Sequence, residues 1–253
     1  MKSISNMKNC ISPAIIMRIK EFGESDLLVY FFTLDMGRLK GVAKGARRSR
    51  RRFVNCLDNF CLVDLEYDLK GKGDLHFIHS GKLIDAYPGL RTDFATLSKA
   101  SFMIELTEIL FPWELPDRKM FELLKESFRL LANGGGGDLI PVIFEVKAMA
   151  LGGYGINLEK CCTCGRTYTG EGTAVFKPGK GGIACLNCQE ITAVSTGMSP
   201  GTVEIMRLIQ SKAPDVFNKP AISDEIISEI KPVMKLHREY HLGQRTKTSS
   251  YLE

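Results

Sequence analysis

No stretch of this 253-residue chain approaches the ~20 consecutive apolar residues that a membrane-spanning helix needs. The opening residues, MKSISNMKNCISPAII, lack the apolar core and cleavage pattern of a secretory signal, so the expected compartment is the cytoplasm. Glycines cluster at 71–73, 134–137 and 179–182, but none of these runs carries the G-x4-G-K-[ST] pattern that cradles nucleotide phosphates. No G-x-S-x-G is present, and no cysteine pairs with histidine in a nucleophile signature. His237 and His241 stand four apart, as metal-binding histidines on a helix do. The glutamate a metalloprotease needs directly after the first is replaced by Arg238, with Glu239 pointing elsewhere, so this pair reads as a solvated helix face. Asp64 and Glu66 share one face of a strand without the further carboxylate or lysine of a nuclease, and read as a polar strand face. These absences leave no convincing active site, and the expectation is a protein that is not an enzyme.

Negative charge is missing from one segment altogether. Between Lys40 and Arg52 there are seven cations, Lys40, Lys44, Arg47, Arg48, Arg50, Arg51 and Arg52, and no acid. The whole chain nets +5, so subtracting these seven leaves about −2 for the remainder. The basic character is therefore local and implies a local polyanionic partner. By itself the block does not separate DNA from RNA or from an acidic protein tail. Membrane binding would call for an amphipathic helix with bulky apolar residues, and Lys44 to Arg52 has none. Phe53 closes the run and reads as an anchor into the fold rather than a stacking platform.

With 44% apolar and 25% charged residues the composition is that of an ordinary globular protein. The first ~82 residues carry five short β-rich segments: Ser12–Lys20, Asp26–Thr33, Gly37–Lys44, Phe60–Tyr67 and Leu75–Ser80. A turn at 21–25 joins the first two, and a glycine-bearing hairpin at 68–74 joins the last two. Five short strands suggest a small closed barrel, either an OB-fold, the type most associated with single-stranded nucleic acid, or an SH3-like barrel. From Asp85 onward the spacing becomes helical: Asp93–Leu110, Asp117–Ala132, an almost wholly apolar segment at 140–151 stopped by Gly152–Gly153, a helix from Ser199–Pro200 to Ser211, and one from Ser223 to His241 that Pro232 should kink. The expected class is α+β and multidomain. Residues 1–82 form a nucleic-acid-binding barrel, 83–159 and 193–253 a helical domain, and 160–192 an insertion. There is no internal repeat, and only the last ten residues read as disordered.

The insertion carries the most specific signal. Cys161-x2-Cys164, twenty residues, then Cys185-x2-Cys188 places two thiolate knuckles where they can share one tetrahedral ion. Gly165 follows the first knuckle, and the spacer reads as a strand through Ala174–Phe176, a glycine turn and a return. The metal expected is a single Zn2+, and four thiolates close its coordination sphere, so the site is structural rather than catalytic. Cys162 is a spare. Cys10, Cys56 and Cys61 are scattered through apolar sequence and read as small core residues.

The Glu24–Ser25–Asp26 turn into Leu28–Val29, the run from Gly37–Arg38–Leu39 to Gly45–Ala46–Arg47–Arg48, and the late Leu242–Gly243–Gln244–Arg245 with Lys247–Thr248–Ser249 are joined here by a four-cysteine ribbon. In this order they resemble the bacterial RecO family of recombination-repair proteins across nearly the whole chain. The resemblance implies an N-terminal OB-fold, a helical C-terminal domain and a zinc ribbon inserted into it. It further implies a non-catalytic mediator of the RecFOR pathway of DNA-damage repair. Such a mediator binds single- and double-stranded DNA, anneals complementary strands, and works with RecR to load RecA onto strands coated by single-stranded-DNA-binding protein, whose acidic C-terminal tail it holds. A bacterial, nucleoid-associated protein is implied, and an apolar groove edged by Arg238, Arg245 or Lys247 is the expected place for that tail. Two other readings use the same residues. One is a nucleic-acid-modifying enzyme built on a barrel and a ribbon, although no nucleotide-attaching lysine or carboxylate cluster is in view. The other is an RNA-binding protein.

Overall fold

The computed structural model of the chain describes residues 8–69, 75–134, 137–188, 196–211, 222–243 and 248. The chain divides into two compact units, Met1–Ala100 with Phe111–Ala132, and Ser101–Leu110 with Asn133–Glu253.

In the first unit, strands β1 (Lys8–Phe22), β2 (Asp26–Thr33), β3 (Gly37–Ala43), β4 (Leu62–Leu69) and β5 (His76–Asp85) close into a barrel in the order β1-β2-β3-β5-β4. Every neighbouring pair is antiparallel except β3–β5, which is parallel. This is the OB arrangement, and it decides between the two barrel types that strand count left open. Residues 70–74, on which the expected glycine hairpin falls, lie outside the described residues. Alternation fills the interior: Ala14 and Ile16, Val29 and Phe31, Leu39, Val63, Leu65, Tyr67 and Ile78 all point into one buried cluster. β1 serves two neighbours, Lys8–Ile15 pairing with β4 and Ala14–Phe22 with β2, and a register shift between Ile16 and Arg18 lets it bend from one to the other. Gly41 makes the parallel seam possible. A Cβ there would lie 2.8 Å from the His76 carbonyl oxygen and 2.9 Å from Ile78 Cγ1.

Helix α1 (Phe94–Leu110) starts in this unit, capped by the Asp93 carboxylate, which accepts from the Thr96 N–H at 2.8 Å. Asp117 caps α2 (Arg118–Ala132) in the same way, through the Met120 N–H at 2.8 Å. The apolar face of α2 lies on aromatic side chains of the barrel region. Phe121 stacks with Phe32 at 6.3 Å, and Phe128 meets Phe60 and Tyr87 edge-on at 5.6 and 5.9 Å.

The second unit is built from α3 (Leu139–Leu151), α4 (Pro200–Ser211), α5 (Asp224–Leu242) and a small sheet. That sheet comprises β6 (Asn157–Cys161), β7 (Ala174–Lys177), β8 (Gly182–Ala184) and β9 (Gly197–Met198), in the order β6-β8-β7-β9. α3 is buried from Ile140 to Met149, as its unbroken apolar run requires. α5 continues through Pro232, which costs it one backbone hydrogen bond. Side chains of α4 tie the sheet down. Gln210 accepts from the Ile156 N–H at 2.7 Å and donates to its carbonyl at 3.0 Å, and the Arg207 guanidinium donates to the carbonyls of Leu158 and Tyr168. No helix among the described residues is long and apolar enough to cross a membrane.

An ion pair is buried in this unit: Arg238 of α5 donates to Glu145 of α3, both less than a tenth exposed, with the guanidinium 5.3 Å from the Phe102 ring. Taking one partner away strands the other charge. Glu145→Gln is therefore expected to destabilise the chain by about 3–5 kcal/mol in urea unfolding, and the double change Glu145→Met with Arg238→Met to recover most of that loss.

Candidate nucleic-acid interface and metal centre

The connection from β3 to β4 carries the basic block and is held at both ends. At its start, the Gly45 N–H donates to the Asp26 carboxylate at 2.8 Å and the Arg47 N–H to the Ser25 carbonyl at 3.0 Å. Gly45 takes a positive φ of 65°, and a single 3-10 turn follows at Ala46–Arg48. At its end, the Gly81 N–H of β5 donates to the Arg52 carbonyl at 2.9 Å, and Phe53 is buried within the barrel core. Phe53 is thus an anchor, as its place in the sequence suggested. Between these ties the segment forms a fixed arch with Lys44, Arg47, Arg48, Arg50, Arg51 and Arg52 exposed.

The six cations are not equivalent. Arg47 pairs with Glu21 at 3.1 Å. Arg52 donates to the carbonyls of Lys44 and His79, at 2.6 and 3.4 Å, and lies over the Phe53 ring at 5.1 Å. The side chains of Arg48, Arg50 and Arg51 make no hydrogen bond or ion pair among the described residues, which leaves three planar donor forks turned to solvent. Lys40 stands apart from the arch. It lies in the middle of β3, cross-strand from Tyr30, with its ammonium 6.0 Å from the Trp113 ring.

In the second unit, parallel pairing of β6 with β8 brings Cys161 alongside Ile183 and so next to Cys185. The sulfurs of Cys161, Cys164, Cys185 and Cys188 all lie within 4.8 Å of one another, close enough to hold one metal ion. Gly165, at φ 74°, turns the chain back and donates to the Cys161 carbonyl at 2.9 Å, closing the first knuckle. The Cys188 N–H closes the second on the Cys185 carbonyl, also at 2.9 Å. Burial alone would push the Cys161 thiol up. The N–H groups of Cys164, Cys185 and Thr163 directed at its sulfur outweigh this and bring it down to about 6. The neighbouring sulfurs of Cys164 and Cys185 push Cys188 up to about 12. Four thiolates this close repel, and a divalent cation among them removes the conflict. Cys162 is outside the cluster, its N–H donating to the Ile183 carbonyl at 2.7 Å. Cys56 and Cys61 are buried, and Cys10 is half-buried at the edge of the barrel core.

Residues 7–87 match the family described as "Recombination protein O N terminal" and residues 91–250 the family "Recombination protein O C terminal". The chain belongs to the RecO family. It is 28% identical over 240 residues to the DNA repair protein RecO of Syntrophus aciditrophicus, covering 94% of this chain and 93% of that one. To the RecO proteins of Syntrophotalea carbinolica and Syntrophobacter fumaroxidans it is 32% identical over 182 residues and 33% identical over 209 residues. These matches cover 72% and 83% of this chain, and 70% and 83% of the respective relatives.

Two expectations for this RecO-family chain need correction. His237 is not on a solvated face: it is 1% exposed, its Nε2–H donates to the Tyr154 carbonyl at 2.7 Å, and Phe176 and His241 pack on its ring. The spacing of four put both histidines on one face, but that face packs inward. Arg238 does not edge an open groove, because it is spent on Glu145 in the interior. Arg245 and Lys247, the other two residues of that expectation, lie outside the described residues. Asp64 and Glu66 do line a polar strand face. Glu66 accepts from Ser80 Oγ at 2.7 Å and Asn9 Nδ2 at 3.1 Å, and these bonds hold its carboxyl below the usual range. The sequence reading passed over Trp113 and Tyr30, and being the chain's only tryptophan was the signal available for the first.

Burial, with the adjacent His241, lowers the His237 pKa below its usual 6.5, although the Tyr154 carbonyl opposes this. In the unfolded chain the imidazole takes a proton near 6.5, whereas the folded one takes it only at lower pH. Its contribution to stability is therefore complete above about 6.5 and is lost as pH falls below that value. Chemical denaturation between pH 7.5 and 5 is expected to show this loss, and His237→Gln to flatten the profile there while lowering stability at neutral pH.

Proposed function

We propose that the chain is a DNA-binding mediator of recombinational repair that acts without catalysis of its own. The observation that carries this reading is the arch on the OB barrel, where Arg48, Arg50 and Arg51 are held toward solvent by a well-tied backbone and their guanidinium groups have no partner among the described residues. Guanidinium forks on a fixed frame suit phosphate oxygens. Lys40, Lys44, Arg47 and Arg52 would add to the field, the last with its fork partly spent on holding the loop. Screening two polyanionic strands lets them approach, and base pairing then selects the correct partner. Annealing needs no nucleotide hydrolysis on this account.

Family membership supports the rest of the assignment: contact with both single- and double-stranded DNA, action with RecR in loading RecA, and capture of the acidic C-terminal tail of single-stranded-DNA-binding protein at the bacterial nucleoid. Changing Arg48, Arg50 and Arg51 to glutamate is expected to weaken DNA binding regardless of sequence. Three lost phosphate contacts should make the slope of log affinity against log salt shallower by about 2 on single strands. Fluorescence anisotropy across a salt series measures both. An unchanged affinity and slope would sink the assignment, and a strict ATP requirement for annealing strands coated with that protein would favour an enzyme instead.

The ion we assign to Cys161, Cys164, Cys185 and Cys188 is one structural Zn2+. Tetrahedral Zn–S bonds of about 2.3 Å place sulfurs about 3.8 Å apart, and Cys164 and Cys185 Sγ are separated by 3.8 Å. The ion would cross-link the ends of β6 and β8 and carry no reaction. Metal analysis is expected to give close to one zinc per chain, and Cys185→Ala to lower the unfolding temperature and release the metal. A metal-free protein of full stability would refute it.

A further inference from the structure

The outer surface of the barrel carries a second grouping, which the arch does not include. Arg18 of β1, Tyr30 of β2 and Lys40 of β3 are consecutive cross-strand partners, forming one row over three strands. The Arg18 guanidinium and the Lys20 ammonium lie 5.7 and 5.8 Å from the Tyr30 ring. Trp113 stands beside them, its ring 6.2 Å from that of Tyr30 and tilted by 49°. Arg38 packs against the indole at 4.2 Å.

Trp113 is held in place by backbone rather than by burial. Arg38 and Trp113 form an isolated parallel bridge, the Glu114 N–H donates to the Arg38 carbonyl at 3.0 Å, and Arg38 Nη1 donates to the Phe111 carbonyl at 2.7 Å. Gly37 permits this approach, since a Cβ there would fall 2.1 Å from the Leu115 carbonyl oxygen. The fold thus uses a buried arginine and a glycine to fix a large apolar ring that remains 44% exposed. Burial therefore does not explain where the ring is kept.

We propose that Tyr30 and Trp113, with Arg18, Lys20 and Lys40, form a base-stacking subsite for single-stranded nucleic acid. Exposed aromatic faces take unpaired bases of any sequence, and the surrounding cations take the phosphates between them. Duplex cannot use such a site in the same way, because its base faces are already covered by their neighbours. The subsite rests on the nucleic-acid reading of the barrel given above. It adds a division of labour: the arch meets backbone of either form, and the aromatic row selects unpaired strand.

The lone tryptophan makes the test direct. Titrating the full-length chain with oligothymidylate is expected to quench or shift its intrinsic tryptophan emission, whereas equal phosphate as duplex changes it little. Trp113→Ala and, separately, Tyr30→Ala are expected to lower single-strand affinity about five- to a hundredfold each, with duplex affinity altered less than twofold and the salt slope retained. Trp113→Phe should keep most of the affinity. Tryptophan emission that stays constant at saturating oligothymidylate overturns the subsite, as do equal losses on single strand and duplex. Unchanged single-strand affinity in both alanine variants, with binding to a protein partner lost instead, also overturns it and assigns the face to that partner. If the wild-type chain binds neither form of DNA, the nucleic-acid reading itself falls, an outcome separate from failure of the row alone.

Discussion

The seam where β3 runs parallel to β5 closes the barrel, and the course of the basic arch depends on it. Gly41 lets the two backbones meet where any side chain would strike the His76 carbonyl. With the seam shut, the chain leaving β3 must cross the barrel surface before it can begin β4. The basic arch is that crossing, pinned to the β1–β2 turn at one end and to β5 at the other. The antiparallel pairings of β2 with β3 and of β1 with β2, on the other side of β3 from the seam, align Lys40, Tyr30 and Arg18 in one row.

Charge within the arch is divided between holding the loop and facing outward. Arg52 donates to the backbone carbonyls of Lys44 and His79, and Arg47 is drawn to Glu21. Surface ion pairs of this kind contribute little to stability, so their value here is positional. They keep the arch in one shape, and three neighbouring guanidinium groups are then presented without the entropy cost of ordering a flexible loop on binding. The second unit solves a similar problem with sulfur. A short parallel pairing, β6 on β8, sets four thiols around one point, and α4 fastens the base of that sheet through Arg207 and Gln210.

Much of this was legible in the residue order. The five strands, the five helices, the cap at Asp117, the helix start at Ser223, the stop at Gly152 and the four-cysteine grouping all follow from local rules: alternation, helical spacing, side-chain oxygens before a first turn, and ligand spacing. Phe53 as an anchor followed from an aromatic ending a charged run. His237 and Arg238 were misread because a helix pattern gives the angle between faces but not which face meets a neighbour. α5 turns toward α3 and Tyr154 the side that its polar residues had marked as solvated.

The sequence by itself determined the element order, the location of the positive charge and the grouping of four cysteines that could hold a metal, because each depends on residues near one another along the chain. Only the tertiary structure decided which arginines remain uncommitted, that Lys40 belongs with Tyr30 rather than with the arch, and that Trp113, more than seventy positions away, completes that surface. These are consequences of strand register and of a backbone bridge between Arg38 and Trp113. No local pattern encodes them, since they arise only when separate segments pair.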